Sequence, residues 1–154
     1  MVSPKIVPEW EFLCKDAVAT VYHAVEAQCN KDIKHTASMF ELNLKNPESH
    51  RVIAMERTMM KKFGLHFGDY IMVKGAGKRD GVYQVQDVMN SRFKGLNKID
   101  ILINQDSAGG KWDNVELYKL TNKDECGDMF KKDMAAALNQ KSVDKRQNRA
   151  LWAF

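Results

Sequence analysis

Two aspartates set beside apolar β-type runs are the residues of this chain best suited to chemistry. Asp87 ends the run Val85-Gln-Asp87, and Asp100 stands within Lys98-Ile-Asp100-Ile-Leu. A third acid closes Ile53-Ala-Met-Glu56, and the pieces Thr20-Val-Tyr22 and Thr36-Ala-Ser38 add hydroxyl groups. Two carboxyls facing one cleft can break a glycosidic bond. One protonates the leaving oxygen while the other negative group stabilises the oxocarbenium-like charge. A carboxylic acid stays protonated near neutral pH only where burial or a second carboxylate raises its pKa, which a paired site supplies. The plain alternative is that both aspartates are turn formers or surface charges.

Other reactive side chains fall into no comparable pattern. His23, His35, His50 and His66 show no HExxH or other metal-ligand spacing, so no metal or other cofactor is expected. Cys14, Cys29 and Cys126 cannot all pair within one chain, and no two form a CxxC, which leaves free thiols as the expectation. Cys29 and His35 lack a third group to orient them as nucleophile and base. The run GAGKRDG (75–81) lacks the Gly-Lys-Ser/Thr that opens a helix in a phosphate-binding loop, and reads as a hairpin connection.

The elements that must carry the acids are short strands. Ala17–Val25 places Val18, Thr20 and Tyr22 at period two, and Arg51–Met55 is an apolar run fit for a buried strand. Glu56–Phe63 has helical spacing and stops at Gly64, which readily takes a left-handed C-cap. Asp69–Lys74, Val82–Asp87, Ile99–Ile103 and the cleanly alternating Val115–Leu120 complete the set. Five or six short strands, one short helix and no βαβ alternation predict a small, mainly β barrel. Neighbouring strand ends of a barrel converge on one cleft, so Asp87 and Asp100 are expected to meet at strand mouths. Three zones follow: an N-terminal arm over 1–15, the barrel domain over 16–120, and a helical C-terminal extension over 121–154. In the last, Met129, Phe130, Met134, Ala137 and Leu138 share one helical face.

A chain of 154 residues can bury roughly 68–70% of its unfolded surface, enough for a core without staples. With 24 Lys and Arg against 20 Asp and Glu, its net charge of +4 is mild and the signs are mixed throughout. That argues against a dedicated nucleic-acid binder and leaves a sugar polymer or another protein as partner. No stretch reaches the roughly 18 apolar residues of a membrane span, and the opening MVSPKIVPEWEF has no apolar leader core. The sequence alone leaves open whether the protein is exported.

Residues from about Ala19 to Leu120 resemble the three-aspartate (3D) domain, a double-psi β-barrel of bacterial cell-wall proteins. The barrel is similar to that of membrane-bound lytic transglycosylase A and, more distantly, of rare lipoprotein A. The resemblance rests on a succession of pieces: TVY, TAS, IAME ahead of a helix, FGDYIMVKG, GVYQVQD, KGLNKIDILI and AGGKWDNVELYKL. It implies a six-stranded barrel with a substrate groove across it. It also implies cleavage of peptidoglycan glycan strands without water, closing a 1,6-anhydro ring. By motif, Asp100 corresponds to the catalytic acid and base and Asp87 to its partner, with Glu56, Thr36, Lys94 and Asn97 as substrate-binding positions.

Four departures alter the floor of that groove. Glu56 stands where the family has its first aspartate, and Val88 and Met89 follow Asp87 in place of a small residue and Gly. Leu96 lengthens the segment before Asp100, and Met39 follows TAS where Gly is usual. The alternative to an enzyme is therefore a catalytically silent barrel used for assembly, for example in a virion. Its subunit contacts would be made by the arm and the C-terminal tail.

Overall fold

The computed structural model describes residues 6–25, 32–127 and 129–130. Its elements are β1 (Trp10–Tyr22), β2 (Val52–Met55), α1 (Arg57–Lys62), β3 (Tyr70–Lys74), β4 (Gly81–Val88), β5 (Lys98–Leu102), β6 (Trp112–Leu120) and α2 (Lys123–Cys126). The strands close into one barrel in the order β1-β5-β2-β4-β3-β6. β1 runs parallel to β5 and β2 parallel to β4, while the other four pairings are antiparallel. Exchanging β1, β2 and β3 with β4, β5 and β6 maps this cyclic order onto itself. The fold thus has two interlocked halves, each lending one strand to each parallel pair.

Alternation along the strands decides what faces inward. Ala17, Ala19, Ile53, Met55, Ile71, Val73, Val85, Ile99, Ile101, Val115 and Leu117 fill the barrel as one buried core with Tyr83. On the outer wall Tyr22, Val52, Ala54 and Leu102 form a second cluster, capped by Leu42, Met89, Phe40 and Phe93 from the connections. β2 is therefore buried on both faces, which is why its sequence is an unbroken apolar run with no alternation. A third cluster packs Cys126 and Phe130 over Tyr70, Val82 and Leu120, with the Trp10 ring edge-on to Phe130 at 5.6 Å.

Most expected elements are present within a residue or two. Glu56 caps α1, and the chain leaves the helix through Phe63 and Gly64, whose φ of +62° is the left-handed turn expected there. GAGKRDG does join an antiparallel pair, β3 and β4, and Arg79 turns inward to Glu48 (3.0 Å) and the Ala108 carbonyl (2.9 Å).

The N-terminal boundary differs. β1 starts at Trp10, so Trp10–Lys15 belongs to the barrel wall, where it pairs with β6 from Trp10 opposite Leu120 onward. Mixed polarity hid this half of the strand, because its outer positions, Glu11 and Lys15 among them, meet solvent. Ahead of it, Val7 and Glu9 dock on Asn122, whose side chain bonds the Val7 carbonyl and the Glu9 N–H, each at 2.8 Å. At the other end α2 and Phe130 are helical, and the rest of the expected extension, from residue 131, lies outside the described residues. Among the described residues no helix is long and apolar enough to cross a membrane.

Candidate active site

Four strands bring the two aspartates onto one wall. Thr20 in β1 is the partner of Asp100 in β5, Asp100 of Ala54 in β2, and Ala54 of Asp87 in β4. Directly paired residues share a face, so the row Thr20–Asp100–Ala54–Asp87 lies across the outer wall. The acids sit on either side of Ala54, two strand spacings or about 10 Å apart at the backbone. Ala54 is the smallest side chain that could stand between them and still cover the sheet. The expected strand mouths are not where they lie: Asp100 is the middle residue of β5 and Asp87 precedes the last residue of β4.

A bulge explains how Asp87 comes to face outward. Val85 opposes Ile53 and Asp87 opposes Ala54, which leaves Gln86 as an extra residue. Strict alternation would have turned Asp87 into the core beside Val85; the inserted residue turns it out. The bulge also frees Gln86 to hold the connection lying over this wall. Its carbonyl accepts from the Ser38 N–H (3.2 Å) and its side chain from the Ser38 hydroxyl (2.6 Å).

The two carboxyls differ in surroundings. Asp87 is held by three donors: the N–H groups of Ala37 and Val88 to Oδ1, each at 3.0 Å, and the Tyr22 hydroxyl to Oδ2 at 3.1 Å. Asp100 accepts from the Thr20 hydroxyl at Oδ1 (2.9 Å), and among the described residues nothing donates to its Oδ2. Burial pushes Asp100 up to about 6 and the charge of Asp87 pushes the same way, while the Thr20 hydrogen bond, Lys98 and His23 hold it back. Asp100 is thus an acid that can give up and regain a proton near neutral pH, with Oδ1 held by Thr20 and no donor to Oδ2 among the described residues.

The other expected positions separate into two groups. Thr36 is buried beside the pair, its hydroxyl 2.9 Å from that of Ser38, and helps shape the turn whose Ala37 N–H reaches Asp87. Lys94 is exposed on the β4–β5 connection, and Asn97, at the foot of β5, donates to Asp16 (3.2 and 3.3 Å).

Glu56 does not face the groove. It is fully buried, and its carboxylate takes the N–H groups of Thr58 (2.9 Å), Met59 (3.0 Å) and Gly95 (2.8 Å) as well as the Thr58 hydroxyl. Burial alone would raise its pKa, but these four donors together hold the carboxyl below its ordinary value. The longer side chain lets one carboxylate cap α1 and reach the β4–β5 connection, so Glu56 is a staple with no oxygen left for a substrate.

Thr20, Tyr22 and Lys98 belong to the site without having been assigned to it. The signal for Thr20 and Tyr22 was their place in the TVY piece, two apart on one strand face. For Lys98 it was the same i, i+2 relation to Asp100. A concavity of about 270 Å³ lined by Ala24, Leu44, Pro47, Asn104 and Asp106 lies farther along β1 and β5 and includes neither acid. Among the described residues no group of three or more His, Cys, Asp or Glu is placed to hold a metal ion. Cys14 and Cys126 are free thiols, and Cys29 lies outside the described residues. No family model and no curated protein matches the chain.

Proposed function

We propose that this chain is a double-psi β-barrel of the three-aspartate type that cuts peptidoglycan glycan strands by lytic-transglycosylase chemistry. Asp100 is its general acid and base, and Asp87 a fixed negative charge beside it. The observation that carries the reading is Asp100 itself: an acid with a pKa raised to about 6, held at Oδ1 by Thr20 and without a donor at Oδ2 among the described residues, on the same wall as Asp87. Support for the barrel type comes from the cyclic strand order, whose two interlocked halves each cross the other through a parallel pair.

In this reading protonated Asp100 gives its proton to the glycosidic oxygen as the C1–O bond breaks. The positive charge growing at C1 is offset by Asp87, held in place by Ala37, Val88 and Tyr22. The Asp100 carboxylate then takes the proton of the sugar's own 6-hydroxyl while O6 bonds to C1. The acid is restored, no water is consumed, and a 1,6-anhydro end remains.

Purified protein incubated with isolated sacculi should release glycan fragments with 1,6-anhydro ends detectable by mass spectrometry. Asp100→Asn should cut that rate by about 10²–10⁴-fold. Intact sacculi with folded wild-type protein would sink the proposal. That outcome would favour a silent assembly barrel, for example a virion component. One observation points toward this second reading: Asp87 is bound by the overlying turn, as a carboxylate used to fasten a loop would be. Stable oligomers in sedimentation would then be expected.

A further inference from the structure

Four cations gather at the connection between β4 and β5: Arg92 and Lys94 on it, Lys98 at the first residue of β5, and Arg57 in α1. Arg92 and Lys98 both lie over the Phe93 ring, at 4.7 and 4.3 Å from its centroid. Lys94 is exposed one residue beyond Phe93, and Arg57 bonds the Met89 carbonyl at the start of the connection (3.1 Å). Among the described residues none of the four is in an ion pair. Lys98 precedes Asp100 by two positions on the same strand, and so stands on the same wall.

The facing segment is different. There Lys34 pairs with Glu41 (2.9 Å) and the His35 ring lies 3.1 Å from Asp32, so this segment has no surplus of positive charge. Asp16, the acid near the foot of β5, is held by Asn97. Among the described residues, then, the surplus of positive charge lies on the β4–β5 side of the cleft. That side is also fixed in shape, because Glu56 grips the Gly95 N–H (2.8 Å) and the Asn90 side chain accepts from the Arg92 N–H (3.0 Å). A backbone held in this way presents its cations to an anion at a smaller ordering cost. A neutral sugar chain gives them nothing to bind.

We propose that the β4–β5 connection is an anion subsite of the cleft that holds a carboxylate borne by the glycan next to the bond being cut, an inference that rests on the glycan-cleaving reading of the site. On a peptidoglycan strand that carboxylate comes either from a free lactyl group or from a stem peptide. The general effect would be to select substituted, anionic strands over neutral ones such as chitin.

The test is calorimetric titration of the full chain carrying Asp100→Asn, which leaves every probe uncut. Three tetrasaccharides serve as probes: neutral chitotetraose, the alternating N-acetylglucosamine–N-acetylmuramic acid form with free lactyl acids, and that form carrying stem peptides. At least one anionic probe should bind about tenfold more tightly than chitotetraose at low salt, and less so at physiological salt. The probe that shows the preference identifies the carboxylate. Adding Arg92→Ala with Lys94→Ala, both at exposed positions, should abolish the preference, so that the anionic and neutral probes bind alike. Equal affinity for all three probes, or a preference that survives the double substitution, overturns the subsite alone. Failure of all three to bind overturns the subsite and the glycan-cleaving reading together.

Discussion

Asp100, which is half-buried, and Glu56, which is fully buried, are acids with opposite consequences for stability. The folded pKa of Asp100, about 6, lies above its unfolded value of 3.8, so the native state holds that proton more tightly. Its contribution is fully favourable below the unfolded value and is lost as pH rises through about 6. At neutral pH the ionised acid burdens the fold by an amount on the order of 2–3 kcal/mol. Asp100→Asn, which can still accept from Thr20, is therefore expected to raise the melting temperature at about pH 7 and to leave it nearly unchanged below about pH 4. Glu56 runs the other way. Its folded pKa lies below 4.5, so its stabilisation is present above that value and is lost as pH falls through the folded one. Glu56→Gln turns an amide toward donors and should cost about 1–3 kcal/mol at neutral pH, less in acid. Melting curves of both variants across pH check the pair, and curves of the same sign would refute the contrast. An acid that weakens the fold is what a reactive group does; one that strengthens it is a fastener.

At the scale of elements, the site depends on a one-residue irregularity in β4 and a strained turn above it. Gln86 both turns Asp87 outward and anchors Ser38, so bulge and overlying turn form a single device. Within that turn Met39 has φ +69°, the left-handed region, and its side chain is 69% exposed. That conformation gives a physical reason for the glycine the resemblance expects at this position. A side chain there costs about 1–2 kcal/mol, offset in part by the extra chain freedom a glycine loses on folding. Met39→Gly should therefore stabilise by up to about 1 kcal/mol, seen as a small rise in the urea midpoint. A lowered midpoint would mean that the Met39 side chain is packed against something that holds it.

At the scale of the molecule, closure of the barrel joins every strand to two others, and only β3 and β4 are neighbours in both sequence and space. The wall that carries the acids cannot form piecemeal, since its four strands are drawn from segments spread between Trp10 and Leu102. Ile101 shows the consequence: it is buried in the core, with Val21 as its partner on one side and Ile53 on the other. Ile101→Ala should destabilise by about 2–5 kcal/mol while unfolding stays a single transition with an unchanged denaturant slope. Two separate transitions in urea would show that the interlocked halves fold independently. Pairing between distant segments also places the barrel among slow-folding topologies.

The sequence by itself determined the inventory: six strands and the helix after β2 are legible from apolar runs, alternation and turn residues. Those are local properties, set by which side chains can share a face. It also marked Asp87 and Asp100, because each is an acid set beside or within a β-type apolar run. Tertiary structure decided where they stand. A bulge is a relation between two strands, so nothing local to β4 shows that Gln86 is extra and that Asp87 faces out. The burial of Glu56 is likewise settled by Gly95, a residue 39 positions away. The pKa of Asp100 is set by burial, a hydroxyl from β1 and charges from other segments, none of which its own neighbours supply alone. Residue spacing names the titratable groups, but only long-range pairing fixes their dielectric surroundings and partners, and those decide which acid holds its proton more tightly.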